Sequence, residues 1–221
     1  MKSILPWKGG LLVSSAPDIL YLKDTDGDLK ADEKTVLFTG FTTLVDPEGR
    51  VNNLRFGIDN WIYVSNDSQA GEIEFSRKPE GPPVSVLGTD FRFRLDRDLF
   101  EAASGATRFG QTFDVWGHRF FSQAGQHVNH VVMARRYLQR NPFLTAPKVS
   151  LHISQHDQRV FQLTPPEAWR ETRTRMRQRR YKEIGMEREL QSSGFFTGAT
   201  GATVYTRDTF PEAYRSNLFT G

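Results

Sequence analysis

The residues with the clearest chemistry lie in one short acidic loop. Asp24, Asp26, Asp28 and Asp32 stand at positions 1, 3, 5 and 9 of the stretch 24–32. Carboxylates at alternate positions of a tight loop supply hard oxygen ligands from one side, and Ca²⁺ takes about six to eight such oxygens. Without a cation, four like charges at close range would repel one another. The spacing therefore predicts a calcium site, and the alternative is a solvated acidic turn.

The loop resembles the calcium loops of EF-hand and dockerin-like repeats, in which Lys30 would supply a backbone carbonyl at position 7. Two positions depart from that pattern, because position 6 is Leu29 rather than glycine and position 12 is Thr35 rather than a bidentate glutamate. The flanking runs have the composition of strands, so a true EF-hand is not expected. We therefore predict either weaker binding or ligands completed from elsewhere. The candidate metal ligands are Asp24, Asp26, Asp28, Lys30 and Asp32.

Four of the histidines lie close together in the sequence, at His127, His130, His152 and His156. On a helix such spacings bind metals, but the surrounding residues favour strand and loop. In a strand, alternation places the last two on one face of the sheet and the first two on opposite faces. A histidine can also act as a general base, or be held by hydrogen bonds on a sheet face. Spacing alone does not select among these roles.

Composition excludes several kinds of site. The 221 residues include no Cys, which excludes disulfide scaffolds, Cys-ligated zinc and covalently attached haem in this chain. No apolar run approaches the ~18 residues of a membrane span, and the interrupted apolar start is a poor signal peptide. We therefore expect neither a membrane span nor a signal peptide here. The sequence also lacks a phosphate-binding loop, a dinucleotide fingerprint and a GxSxG elbow.

The positive charge is concentrated in one segment. The net charge is +3, and residues 165–190 hold eight bases against five acids, so the whole excess lies there. Periodicity from Glu167 to Tyr181 predicts a helix with Arg173, Arg177 and Arg180 on one face. That face fits an RNA or phosphate surface, a docking face or a solvated face. A chain-wide basic field is not supported, so no nucleic-acid partner is predicted.

Outside that segment the pattern is that of an all-β protein. Short runs rich in Val, Ile and aromatic residues are bounded by Gly, Pro, Asn and Asp. Examples are Leu11–Ser14, Ile19–Leu22, Thr35–Thr39, Trp61–Ser65, Gly71–Phe75, Phe91–Arg94 and Phe120–Ser122. Apolar and charged residues alternate strictly in Phe91–Leu95, which predicts a strand with one buried face and one wet face. A short helical turn is predicted at Tyr137–Asn141.

A weak internal repeat predicts how the strands are grouped. Asp59 and Asp114, 55 residues apart, are each followed two positions later by Trp and then by an aromatic strand. The positions taken as equivalent in second strands are Val13, Val64, Phe121 and Phe219. Their steps of 51, 57 and 98 residues are typical of four-stranded propeller blades, with the basic helix inserted in the last step. We therefore predict a partial β-propeller of about three blades over residues 1–221, with a helical insertion at 165–192. The alternative is an irregular β-sandwich.

Five longer segments carry a family resemblance. They are APDILYLKDTDGD at 16–28, RVNNLRFGIDNWIY at 50–63, FGQTFDVWG at 109–117, YLQRNP at 137–142 and FPEAYRSNLF at 210–219. Together they resemble the membrane-bound dehydrogenase domain family of PVC-type bacteria over nearly the whole chain. The propeller of that family is similar to that of the soluble quinoprotein glucose and sorbosone dehydrogenases.

The resemblance implies a propeller of the six-bladed type in an exported, periplasmic or extracellular protein. It implies oxidation of a sugar or alcohol with pyrroloquinoline quinone, which a histidine base, arginines and calcium would serve. On this sequence His130 matches the family histidine as candidate catalytic base, and Arg108 and Arg159 are the candidate cofactor-binding residues.

Family members often carry a C-terminal haem-binding CxxCH domain. We expect this chain to be a fragment of such a protein, with the c-type haem domain elsewhere in the full-length form. Catalysis by this chain alone is then not expected. The alternative function is a non-catalytic, calcium-stabilised propeller that binds carbohydrate or a partner protein.

Overall fold

Sixteen strands and two α-helices occur in the part of the chain that the structure describes. That part of the computed structural model comprises residues 1–138, 140–141, 143, 148–156, 159–187 and 190–221. The strands are β1 (Ser3–Trp7), β2 (Gly10–Ser15), β3 (Asp18–Lys23), β4 (Glu33–Phe41), β5 (Asn52–Phe56), β6 (Ile62–Ser65), β7 (Gly71–Phe75), β8 (Val84–Ser85), β9 (Asp90–Arg94), β10 (Leu99–Ala103), β11 (Gly110–Phe113), β12 (Arg119–Gln123), β13 (Gln126–Val131), β14 (Ser150–His152), β15 (Thr203–Val204) and β16 (Leu218–Phe219). The helices are α1 (Arg135–Leu138) and α2 (Ala168–Glu183).

Three antiparallel, four-stranded units form the blades. Blade 1 contains β1-β2-β3-β4, blade 2 contains β5-β6-β9-β10 and blade 3 contains β11-β12-β13-β14, while β15 and β16 pair only with each other among the described strands. The four sheets form no closed barrel within the described ranges. The all-β, partial-propeller prediction with one inserted basic helix is confirmed.

The repeat positions fall at equivalent places in these sheets. Each lies in the second strand of its sheet: Val13 in β2, Val64 in β6, Phe121 in β12 and Phe219 in β16. The first three are buried, which explains why an apolar residue recurs there. The 57-residue step from Val64 to Phe121 is therefore the true spacing of blades 2 and 3 at this strand.

Strands β7 and β8 lie between two strands of blade 2 in the sequence, but they belong to the sheet of blade 1. Gly71–Phe75 is a strand, as predicted, but it pairs with β4 and widens that sheet to six strands. Phe75 is buried and stacks on Phe38 of β4, with ring centroids 4.6 Å apart. Full burial of such a side chain contributes roughly 1.5–3 kcal/mol. The apolar face of β7 is thus what attaches this hairpin to the outer edge of blade 1.

One strand prediction is wrong in part. Phe91 and Phe93 of β9 are fully buried, as their alternation predicted, and belong to the main aromatic core. Arg92 between them was expected on a wet face, yet its exposed fraction is 6%. Its burial is tolerated because Glu101 of the neighbouring strand β10 pairs with the guanidinium.

The first strands of successive sheets are joined by hydrogen bonds. The backbone N–H of Leu54 in β5 donates to the Ser3 hydroxyl in β1 at 3.1 Å. Gln111 Nε2 in β11 donates to the Asn53 carbonyl in β5 at 2.7 Å. In the same way the N–H of Val204 in β15 donates to a threonine hydroxyl of β11 at 3.2 Å. The order β1, β5, β11, β15 follows the chain, as it does for the innermost strands of a propeller.

Two compact units make up the chain. The first, residues 1–154 and 198–221, contains all four sheets, and the second, residues 155–197, contains α2. The observed bounds of α2 confirm the helix predicted from Glu167 to Tyr181. Neither described helix combines the length and the apolar character that a membrane-spanning segment requires.

Two sequence predictions extend partly beyond the described ranges. The helical turn expected at Tyr137–Asn141 overlaps α1, but Gln139 and the following Pro142 lie outside those ranges. The predicted insertion at 165–192 contains α2, and its residues 188 and 189 also lie outside them.

Candidate calcium site and inter-blade cleft

The acidic loop connects β3 to β4 at the end of a hairpin in which Lys23 pairs with Glu33. Asp24, Asp26 and Asp28 each offer one carboxylate oxygen, and these oxygens lie within 4.8 Å of one another. Three of the predicted ligands therefore converge. They are hard oxygen donors of the kind that Ca²⁺ takes.

Backbone hydrogen bonds hold these carboxylates in place. Asp24 Oδ1 accepts from Gly27 N at 2.6 Å, and its Oδ2 accepts from Leu29 N at 2.9 Å. Asp28 Oδ1 accepts from Lys30 N at 2.8 Å. Leu29 has φ of 68°, so it adopts the left-handed conformation for which glycine is preferred at this loop position. Leucine instead of glycine at this position is therefore accommodated at the cost of backbone strain.

The two other predicted ligands have different partners. Asp32 Oδ2 accepts from both Thr25 N and Thr25 Oγ1, at 2.7 and 2.8 Å. These bonds hold the pKa of Asp32 below its ordinary value. Lys30 Nζ lies 3.2 Å from Asp28 Oδ2 and would compete with a cation for that oxygen. The donor set fits calcium through three carboxylates, with Asp32 bracing the loop.

His130 lies on β13 opposite Phe120 of β12. Its ring stacks on Phe120 with centroids 4.9 Å apart and meets His118 edge-on at 5.6 Å. Burial lowers the pKa of His130, the charge of His118 lowers it further, and Asp114 opposes them. The Nε2 atom is buried and has no hydrogen-bond partner among the described residues.

Arg108 precedes β11 and is engaged by carboxylates. Its Nη atoms lie 3.5 Å from Asp46 and Glu48 and 3.4 Å from Asp67. Its backbone N–H donates to the Ser122 carbonyl of β12, whereas His130 lies on β13. Arg159 belongs to the second unit. Arg108 and His130 therefore have different partners, and none of their contacts joins them in one site.

The remaining histidines are divided between the two units. His127 Nε2 lies 2.8 Å from Ser154 Oγ, and the His127 ring meets the His152 ring at 5.3 Å. Strand β14 ends at His152, so the alternation expected to place His156 on the same face does not apply.

The Asp–Trp repeat closes the first turn of blades 2 and 3. In each turn the aspartate accepts one hydrogen bond from the backbone N–H two residues later and another from the side chain four residues later. In blade 2, Asp59 accepts from Trp61 N at 3.3 Å and from Tyr63 Oη at 3.0 Å. In blade 3, Asp114 accepts from Trp116 N at 2.9 Å and from His118 Nδ1 at 2.7 Å. The repeat seen in the sequence is therefore a turn-stabilising element.

A cleft that sequence reasoning missed opens between blades 2 and 3. Its volume is about 210 Å³. It is lined by polar residues of β9, β10 and β12 and by the chain that follows β13. We call it the inter-blade cleft. Its polar lining includes Asp59, Tyr63, Arg92, Glu101, Ser104, Arg119, Arg135 and Arg136.

Arg92 organises one wall of the inter-blade cleft. Its Nε donates to Glu101 Oε1 at 2.8 Å, and its Nη1 donates to the Tyr63 hydroxyl at 2.8 Å. The guanidinium carbon lies 4.2 Å from the Trp61 ring centroid. Burial alone would lower the pKa of Arg92, but its interactions with Tyr63 and Glu101 raise it overall. The only sign of this residue in the sequence was an arginine between two phenylalanines, and the alternating pattern predicted that it faces solvent.

The second wall is held by a buried ion pair. Arg119 Nη2 lies 2.6 Å from Asp90 Oδ2, and both side chains are almost fully buried. Arg119 also donates to Gln111 Oε1 at 2.8 Å, while Asp90 accepts from the Thr107 hydroxyl at 2.6 Å. This network connects β12 of blade 3 to β9 of blade 2, so the two blades form the cleft as one unit.

Comparison with known proteins gives one family match. The family described as a domain of unknown function, DUF7133, matches residues 1–221. Neither the curated proteins nor the solved structures gave a match.

Proposed function

The chain belongs to the DUF7133 family, and on that premise we propose that it is a non-catalytic β-propeller module, stabilised by calcium, that binds carbohydrate or a partner protein. The observation that carries the proposal is the convergence of three carboxylates in the acidic loop. Their backbone hydrogen bonds position the oxygens before any cation arrives, which reduces the ordering cost of binding.

The same geometry sets the expected strength of calcium binding. Three carboxylates attract the cation, while the Lys30 ammonium beside Asp28 opposes it. A dissociation constant of about 10⁻⁴–10⁻³ M is typical of extracellular calcium modules. That range suits the periplasmic or extracellular location that the family resemblance implies.

Contacts of the candidate catalytic residues favour binding over catalysis. Arg108 is held by three carboxylates, so its guanidinium already has partners. The Nε2 atom of His130 is buried, which disfavours its contact with a substrate hydroxyl. The inter-blade cleft is lined by arginine and carboxylate side chains, which suit the binding of a polar ligand.

Calcium titration of the full chain tests the proposal. At calcium concentrations about 100 times the dissociation constant, linkage adds about 2.7 kcal/mol to the free energy of unfolding. For a chain of this size we expect the thermal midpoint to rise by about 5–10 °C, and EGTA to reverse the rise. Asp24→Asn combined with Asp26→Asn should abolish both effects.

A matched control removes two exposed acids outside the loop, Glu80→Gln and Asp208→Asn. This variant should keep the full calcium response. If calcium leaves the midpoint of the unmodified chain unchanged, or if the control loses the response as well, the calcium part of the proposal is wrong.

Quinone-dependent oxidation of a sugar or alcohol is the second candidate. The observation that favours it is the lowered pKa of His130, because a general base must be neutral at the working pH. Dye reduction with added pyrroloquinoline quinone and calcium, measured over a panel of sugars and alcohols, tests it. Activity that His130→Asn abolishes would replace the binding proposal with the catalytic one, and a chain without activity across the panel would support binding.

A further inference from the structure

The inter-blade cleft has more cationic than anionic groups at its walls. Four guanidinium groups line it, from Arg92, Arg119, Arg135 and Arg136, against the carboxylates of Asp59 and Glu101. With Asp90, which pairs with Arg119, the count is four cations against three carboxylates. The excess of one positive charge belongs to the chain after β13.

Arg135 and Arg136 carry that excess. Arg135 Nε is withdrawn from solvent and has no hydrogen-bond partner among the described residues. Arg136 Nη2 lies 3.5 Å from the Tyr137 hydroxyl, a weak contact with a neutral group. Neither arginine forms an ion pair with a residue in the described part of the chain. A buried donor without an acceptor is costly, so an anionic acceptor from a ligand would remove that cost.

The segment that carries these two arginines is tied to blade 2. Ser104, just after β10, donates its hydroxyl hydrogen to the Met133 carbonyl at 2.7 Å. The hydrogen bond holds the start of this segment beside Ala102 and Ala103, which also line the cleft. The two arginines are thus presented on a chain anchored to both walls.

The opposite wall offers hydrogen-bond acceptors. The two hydrogen bonds that Glu101 accepts from Arg92 both go to Oε1, which leaves Glu101 Oε2 without a donor among the described residues. The side chain of Glu101 is 35% exposed, so this oxygen can be reached from the cleft. A free carboxylate oxygen facing a polar cavity is suited to a ligand hydroxyl group.

From these walls we infer that the inter-blade cleft binds a hydroxylated monocarboxylate of monosaccharide size, a uronic-acid type of sugar. Its carboxylate pairs with Arg135 and Arg136, and a ring hydroxyl donates to Glu101 Oε2. The volume of about 210 Å³ is below the roughly 300 Å³ at which pockets begin to hold drug-sized ligands, which excludes longer glycans from the interior. A phosphate dianion fits less well, because it would bring a second negative charge close to Asp59 and Glu101.

This inference rests on the proposed binding function, for which it names the ligand. It does not depend on calcium, because the acidic loop and the inter-blade cleft share no residue. Calcium binding measured on the same sample therefore distinguishes a failure at the cleft from a failure of the calcium proposal.

Isothermal titration of the full chain with D-glucuronate and D-galacturonate tests the inference, with D-glucose, D-galactose and inorganic phosphate as comparison probes. We expect millimolar binding of a uronate and at least tenfold weaker binding of the neutral sugars and phosphate. Arg135→Gln and Arg136→Gln should each weaken uronate binding at least tenfold. Arg135→Lys keeps the charge and should retain part of the affinity.

Arg175→Gln, on the exposed surface of α2, is the matched control and should bind like the unmodified chain. Thermal midpoints show whether each variant folds, and shifts of amide resonances around Glu101 locate the ligand. The inference is overturned if neutral sugars or phosphate bind as tightly as uronates, if no uronate binds, or if folded Arg135→Gln keeps full affinity.

Discussion

Arg119 and Asp90 form an ion pair between two blades, with Arg119 Nη2 2.6 Å from Asp90 Oδ2 and exposed side-chain fractions of 4% and 0%. The two residues lie 29 positions apart in the sequence, on β12 and β9. A buried pair of this kind contributes little over an apolar pair, but the loss of one partner leaves an unpaired charge in the interior. The pair therefore fixes how blade 3 is placed against blade 2.

Asp90→Asn should destabilise the fold strongly. The change keeps the side-chain shape but leaves the Arg119 charge buried, and we expect the free energy of unfolding to fall by about 3–5 kcal/mol. Urea denaturation monitored by tryptophan fluorescence measures it. The control is Asp98→Asn, because Asp98 pairs with Arg77 at 3.0 Å on the surface. Its cost should be below about 1 kcal/mol, and equal costs for the two variants would contradict this account.

Leu29→Gly should stabilise the acidic loop. Leu29 is 93% exposed and has φ of 68°, so the substitution loses almost no burial and relieves a left-handed conformation. We expect a gain of about 1 kcal/mol in the free energy of unfolding and tighter calcium binding. Thermal denaturation and calcium titration measure the two effects. Leu44→Gly is the control, since Leu44 is 94% exposed but outside the left-handed region, and it should give no gain.

The pKa of His130 should lie below the ordinary histidine value of 6.5, mainly because burial disfavours the charged ring. Between the folded-state pKa and 6.5 the unfolded chain binds a proton that the folded chain does not. This contribution to stability is therefore full above pH 6.5 and is lost as the pH falls below it. Nuclear magnetic resonance titration measures the pKa directly, with His130→Asn to assign the signal.

His118→Asn provides an internal check on that prediction. The substitution removes the neighbouring positive charge that disfavours protonation of His130, so the pKa of His130 should move upward. The burial contribution stays, and the pKa should still be below 6.5. A value for the unmodified chain at or above 6.5 would show that the ring is more hydrated than its contacts indicate.

Gly40→Ala should cost more than substitution at another glycine with positive φ. Gly40 has φ of 106° and lies at the bulge where β4 meets β7. A Cβ there would collide with the Glu72 carbonyl of β7. Left-handed strain and overpacking together predict a loss of about 3 kcal/mol or more.

Gly9→Ala is the matched control for this effect. Gly9 has φ of 76° in the turn between β1 and β2, and a Cβ would meet no atom within 4 Å. Its loss should be limited to about 1 kcal/mol of backbone strain. Urea denaturation of both variants separates the two costs, and similar losses would show that β7 does not approach Gly40 as closely as described.

The sequence by itself determined the features that depend on neighbouring residues. The strand runs, the Asp–Trp turns and the α2 helix follow from local periodicity and turn chemistry. The three converging carboxylates belong to five consecutive positions, 24–28, so a tight loop was enough to bring them together.

Only the tertiary structure decided the features that join separate sheets. The alternating pattern of β9 predicted that Arg92 is exposed to solvent. That pattern distinguishes the two faces of one strand, but it does not show which loop or neighbouring blade covers a face. In the same way β7 pairs with β4, and Arg108 meets carboxylates on the chain after β4. The inter-blade cleft exists because Asp90 and Arg119 bring two sheets together, and the packing of sheets depends on distant side chains that no local pattern contains.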